Sequence, residues 1–125
     1  MKTSITALHH QGVDWTRELS FYKDELAVLN TRLEEVAKQN TGSEVMAQVE
    51  HFQNKFIMLR EQLDILKHDV NLRNEAVNKL AAERPEHIGE RYTTESDALL
   101  DRMKDYARSI ADTRYEFNTF LARTL

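Results

Sequence analysis

Apolar residues recur along this chain in alternating steps of four and three. In the first third, Leu8, Trp15, Tyr22, Leu29 and Val36 fall on one heptad position, d, and Leu19, Leu26 and Leu33 fall on a, with Gly12 and Asn40 sharing the register. An apolar residue every 3.5 positions on average is the seam of a long amphipathic helix. "NTGSE" (Asn40–Glu44) interrupts the pattern. Asn40 and Gly42 suit a helix end, and Thr41 with Glu44 reads as a capping box for the next helix.

The seam then resumes. Val45, Phe52, Leu59, Leu66 and Leu80 hold d, while Val49, Phe56, Leu63, Val70 and Val77 hold a; Arg73, also at d, is the single charged seam residue. Pro85 and Gly89 in "ERPEHIGERYTTESD" predict a second break, after which Thr93 or Thr94 can cap a third helix. There Tyr92, Leu99, Tyr106, Thr113 and Phe120 take d, and Ser96, Met103, Ile110, Phe117 and Thr124 take a. No strand-like alternation competes anywhere. The pattern predicts helices over about 3–40, 43–84 and 92–124 of a single domain spanning 1–125. Short turns make sequential helices antiparallel, so the expected fold is all-α: an up-down-up three-helix bundle with long coiled-coil-like helices.

The register follows from placing the turns. A first turn near Gly42 sets Leu33 beside Phe52, Leu26 beside Leu59 and Tyr22 beside Leu63, and brings Gly12 level with Arg73. A second turn near Ile88 adds Phe120 beside Phe56, Phe117 beside Leu59 and Thr113 beside Leu63, so that Thr113 meets Tyr22 and Met103 stands level with Arg73. Every seam residue then meets a seam residue.

Composition narrows the function. Of 125 residues, 41% are hydrophobic and 30% charged, with three glycines and one proline, as long helices require. The formal net charge of −4 comes from alternating acids and bases, which makes a solvated mixed surface and argues against nucleic acid as a partner. Without cysteine there is no disulfide and no thiolate metal site. No stretch approaches the ~20 apolar residues of a membrane span. The opening "TSITALHHQ" is too short and polar for a signal peptide, and "KDEL" at Lys23–Leu26 is internal, where it is no retention signal. A cytoplasmic protein is expected.

The segments "FYKDELAVLNTRLEEVAKQNT" and "VEHFQNKFIMLREQLDILKHD" resemble a group of small uncharacterised helical bacterial proteins. In architecture alone the pattern is similar to spectrin-like three-helix coiled coils. The resemblance implies a small bacterial helical protein and brings no activity, cofactor or site residues with it.

Catalytic and metal signals are sparse. A di-iron bundle site needs core-facing Glu and Glu-x-x-His motifs, yet no a or d position holds Asp, Glu or His and no Glu-x-x-His occurs. His9, His10, His51 and His68 fall outside the seam, and His87 lies in the second turn. Asp64 with His68 and Asp101 with Asp105 are spaced i, i+4, which offers at most a weak surface chelate; a solvated face is the plainer reading. There is no G-x-S-x-G and no phosphate-cradling glycine loop. The expectation is therefore no cofactor, no metal and no catalytic residue.

Arg73 is the seam's oddity. Its side chain is expected to fill the space left by Gly12, stacked on Trp15 and paired with Asp14, Asp69 or Asp101, and to fix register. An anion-binding role is the lesser alternative, because no second basic residue obviously converges there.

A second stripe lies outside the seam. Phe21 and Val28 in the first helix, and His51, Met58, Ile65 and Leu72 in the second, all occupy c. In the folded register Val28 is level with Met58, and Phe21 with Ile65. Either the third helix docks over this side, widened by Leu100, Ala107 and Leu121, or the stripe stays exposed as an interface. The occupant would then be a second copy, another helical protein or a lipid-like ligand. The leading function is a non-enzymatic helical interaction or structural module that self-associates, as a homodimer, through the apolar face of helices 1 and 2. The alternative is a metal-binding or enzymatic protein whose surface His and carboxylates are completed across an oligomer.

Overall fold

The computed structural model of the chain describes residues 5–40, 42–83 and 90–125, with side chains from residue 94 in the last stretch. Within them lie three helices and no strand: α1 (Ile5–Gln39), α2 (Ser43–Glu83) and α3 (Glu90–Thr124). The Gly42 carbonyl accepts the Met46 amide at 3.0 Å, opening α2, and the Asn40 amide closes α1 on the Val36 carbonyl at 3.1 Å. No described residue has a positive φ, so this turn needs no left-handed glycine. Thr41, Pro85, His87 and Gly89, for which roles were expected, lie outside the described residues. Because α3 begins at Glu90, Thr93 and Thr94 sit inside the helix and not at its cap.

The seams close on one another as a three-helix bundle. Trp15, Leu19, Leu26, Leu33, Val49, Phe52, Leu63, Val70, Met103, Ile110 and Phe117 are among the residues of one continuous buried core. Partners on α1 and α2 run in opposite senses: Arg73 bonds to Leu8 and Gln11, Asn74 to Gly12 and Thr16, while Phe56 and Arg60 share a groove with Leu26 and Asn30. The same opposition relates α2 to α3, through His51–Glu116, Leu59–Tyr106, Asp69–Arg102 and Arg73–Ser96.

The α1–α2 register agrees with Gly12 standing level with Arg73, whereas α3 sits seven residues away from its expected place. Ser96, not Met103, faces Arg73, and Tyr106, not Thr113, meets Tyr22 with ring centroids 5.4 Å apart. Phe117 wedges between Phe52 and Phe56 at 5.1 and 5.4 Å, and Phe120 packs on Phe52 at 5.2 Å. A one-heptad slip still matches seam with seam, so apolar period cannot choose between the two settings. Polar chemistry does: the slip sets a hydroxyl against the buried guanidinium where the other setting offers a thioether.

At Gly12 the side chains of α2 approach α1 closely. A methyl group there would collide with the Asn74 side-chain oxygen and lie 2.8 Å from Arg73 Nη1. At Gly42 a methyl group meets nothing within 4 Å. We therefore expect Gly12→Ala to destabilise the fold by about 1–3 kcal/mol, overpacking outweighing the helix-propensity gain of up to ~1 kcal/mol. Gly42→Ala should be neutral or raise stability by up to about 1 kcal/mol. Urea unfolding of both variants checks the contrast.

Candidate functional site

At the end of the bundle where α1 begins, Arg73 joins all three helices. It is 5% exposed, and every acceptor it uses among the described residues is uncharged. Nε donates to Ser96 Oγ of α3 at 3.0 Å; Nη1 donates to the Leu8 carbonyl of α1 at 2.8 Å and to Asn74 Oδ1 at 3.0 Å; Nη2 donates to Gln11 Oε1 at 2.7 Å. The Trp15 ring supports the cation from 5.0 Å. Burial lowers the guanidinium's pKa from its ordinary value, and no carboxylate among the described residues offsets it. The expected pairing with Asp14, Asp69 or Asp101 is not what forms: Asp69 instead bonds to Arg102 at 2.8 Å. Neutral dipoles and one ring solvate a buried positive charge, and no described residue compensates its formal charge.

Beside this clasp, on the side of the α1–α2 groove away from α3, opens a cavity of about 300 Å³. Asn74 crosses its mouth, donating to the Gly12 carbonyl at 3.3 Å and to Thr16 Oγ1 at 3.4 Å; Thr16 itself donates to the Gly12 carbonyl at 2.9 Å. Arg17 and His9 line the same cavity, so basic side chains do converge here. The residue spacing held that signal. Gly12 at the seam puts His9, Thr16 and Arg17 on the adjoining face of one helix.

A second polar layer lies at mid-bundle. Tyr22 donates to Glu18 Oε1 at 2.6 Å, and Tyr106 donates to the Leu59 carbonyl at 2.9 Å. Arg114 Nε comes within 2.6 Å of Glu25 Oε1, but its N–H is not aligned for a hydrogen bond, and the buried Glu25 Oε2 has no hydrogen-bond partner. This is a charge contact between α1 and α3 in place of a formed hydrogen bond. Burial first, and then the Glu18 hydrogen bond and charge, push the Tyr22 phenol above its ordinary value. Burial likewise raises Tyr106, the nearby Arg60 opposing and Asp64 and Glu25 reinforcing. Glu25, Gln11 and Asn74 take part in these layers although the sequence pattern does not mark them, and Ser96 does so from an expected seam position.

The other candidates stay apart. His51 meets Glu116 at 2.7 Å, Asp64 pairs with Arg60 at 3.2 Å instead of acting with His68, and the rings of His9 and His10 stand edge-on at 5.9 Å. Among the described residues no group of three or more His, Cys, Asp or Glu side chains is placed to hold a metal ion, and no helix is long and apolar enough to cross a membrane.

The c stripe is exposed in all its apolar members: Phe21 62%, Val28 52%, Met58 54%, Ile65 59% and Leu72 52%. Yet α3 does dock on this side. It reaches α1 through Arg114–Glu25 and α2 through Arg102–Asp69 and Glu116–His51, whereas Ala27, Asn30, Ile57 and Arg60 line the groove on the side without α3. The third helix thus stands between the two halves of the stripe. Phe21 and Val28 flank it on one side, and His51, Met58, Ile65 and Leu72 on the other, with Ile65 beside Arg102 and Tyr106.

No protein family, curated protein or solved structure matches this chain.

Two outcomes follow from the polar layers. Arg73→Ala should cost about 2–4 kcal/mol through its cavity, while Arg73→Met, which fills space and removes the buried charge, should change stability by less than about 1.5 kcal/mol; a loss of ~3 kcal/mol or more for the methionine would contradict this reading. The raised phenols mean the unfolded chain loses its tyrosine protons first. Their contribution is intact below the ordinary pKa of 10.0 and is lost as pH rises above it towards the folded-state values. Urea midpoints should therefore fall between about pH 9 and about pH 11, and fall less in Tyr106→Phe.

Proposed function

We propose that this protein is a non-enzymatic helical interaction module and that α2 carries its self-association face. The supporting observation is the exposed row His51, Met58, Ile65 and Leu72, spaced one heptad apart and left uncovered beside α3. The row runs about 32 Å along the helix at 1.5 Å per residue. It is self-complementary: a two-fold axis between Met58 and Ile65 sets each against the other and sets His51 against Leu72, as an isologous antiparallel pair requires.

Size bears on strength. A 41-residue helix is about 62 Å long and ~10–12 Å wide, so pairing along its length buries on the order of 600–700 Å² per copy, just below the ~800 Å² of a standard interface. The homodimer should therefore form reversibly and depend on concentration. Phe21 and Val28, on the far side of α3, stay outside this contact.

Light scattering with size-exclusion chromatography tests the proposal. Wild type should pass from monomer towards dimer as concentration rises, and Met58→Asp/Ile65→Asp should remain monomeric with unchanged helical circular dichroism. Phe21→Asp should still dimerise. A wild type that stays monomeric at every concentration, or a dimer indifferent to the double substitution, would overturn it.

A further inference from the structure

We propose that the cavity between α1 and α2 beside Arg73 binds a small organic anion. This stands apart from self-association, which uses the opposite side of α2.

Charge is the first ground. Among the described residues Arg73 holds a buried cation against neutral partners, and its burial reduces solvent screening of its charge towards the adjoining cavity. Arg17 and His9 line that cavity, and among the described residues no acidic side chain does. Arg17 makes no ion pair with a described carboxylate. In a chain whose formal net charge is −4, this is a local reversal of sign.

The division of labour follows from hydrogen-bond inventory. Four of the five N–H donors of Arg73 are committed, to Ser96, the Leu8 carbonyl, Asn74 and Gln11, so Arg73 contributes mainly charge and at most one Nη2 hydrogen. The exposed Arg17 supplies the planar donor fork suited to a carboxylate, with Asn78 as a further donor at the rim. Val13 and Val77 form apolar walls, which an inorganic ion leaves unused and a short hydrocarbon or aromatic body covers. A volume of about 300 Å³ suits a ligand of roughly ten heavy atoms, at the small end of ligand pockets. The class is thus a small monocarboxylate with an apolar body.

Benzoate is a suitable probe, with inorganic phosphate and chloride as comparisons at matched ionic strength. In amide-resolved NMR titrations of the full chain, benzoate should shift residues 9–17 and 73–78 and saturate with a roughly millimolar Kd. Arg17→Ala, a surface change whose fold circular dichroism verifies, should raise that Kd about tenfold. Phosphate should bind more weakly than benzoate. Shifts scattered over the whole surface, an unchanged Kd in Arg17→Ala, or phosphate binding as tightly as benzoate would each overturn the proposal.

Discussion

Each helix of this protein possesses one apolar seam, two residues wide per heptad, and no single helix can bury it. A lone amphipathic helix gains little from its own hydrogen bonds in water, so its stability comes from packing that seam against neighbours. Three seams closing on each other satisfy the requirement together. The buried residues of α1 and α2 are their a and d positions, and seam residues that are only partly covered, such as Val45 and Leu80 of α2, lie near the ends. Whatever the protein does is left to the remaining positions and to the few places where the seam is polar.

Arg73 is such a place, and its consequences spread through the fold. A guanidinium in the core must have acceptors from every direction. It takes a carbonyl and an amide from α1, a hydroxyl from α3 and a ring from Trp15. Gly12 leaves room for it, and Ser96 selects which heptad of α3 sits opposite. At the other end Phe52, Phe56, Phe117 and Phe120 interlock at centroid separations of 5.1–6.2 Å. Offset and tilted rings favour particular placements over a smooth apolar slide, so both ends hold α3 to one register.

Docking of α3 also partitions the surface. By settling on the c side of the first hairpin, it converts one broad stripe into two separate rows and leaves the opposite groove open. One face then offers apolar side chains in a heptad row, and the other a cavity lined by His9, Arg17 and Arg73. The two are far apart in chemistry and can be tested separately.

Helix number, approximate extents, the seam residues and the level meeting of Gly12 with Arg73 were all legible from the residues, because each depends on a local period and on one short turn. The prominence of Phe21, Val28, Met58 and Ile65 outside the seam was legible for the same reason. The setting of α3 was not, since a heptad repeat maps onto itself after seven residues and only the Arg73–Ser96 and aromatic contacts separate the alternatives. Nor were the neutral partners of Arg73, the half-burial of Glu25, the gathering of His9 and Arg17 at one cavity, or the exposure of the stripe on both sides of α3. Periodicity determines which side of a helix is buried; which side chains from other helices arrive there depends on register and on the side chosen for docking, and these are set by three-body packing that no single segment encodes.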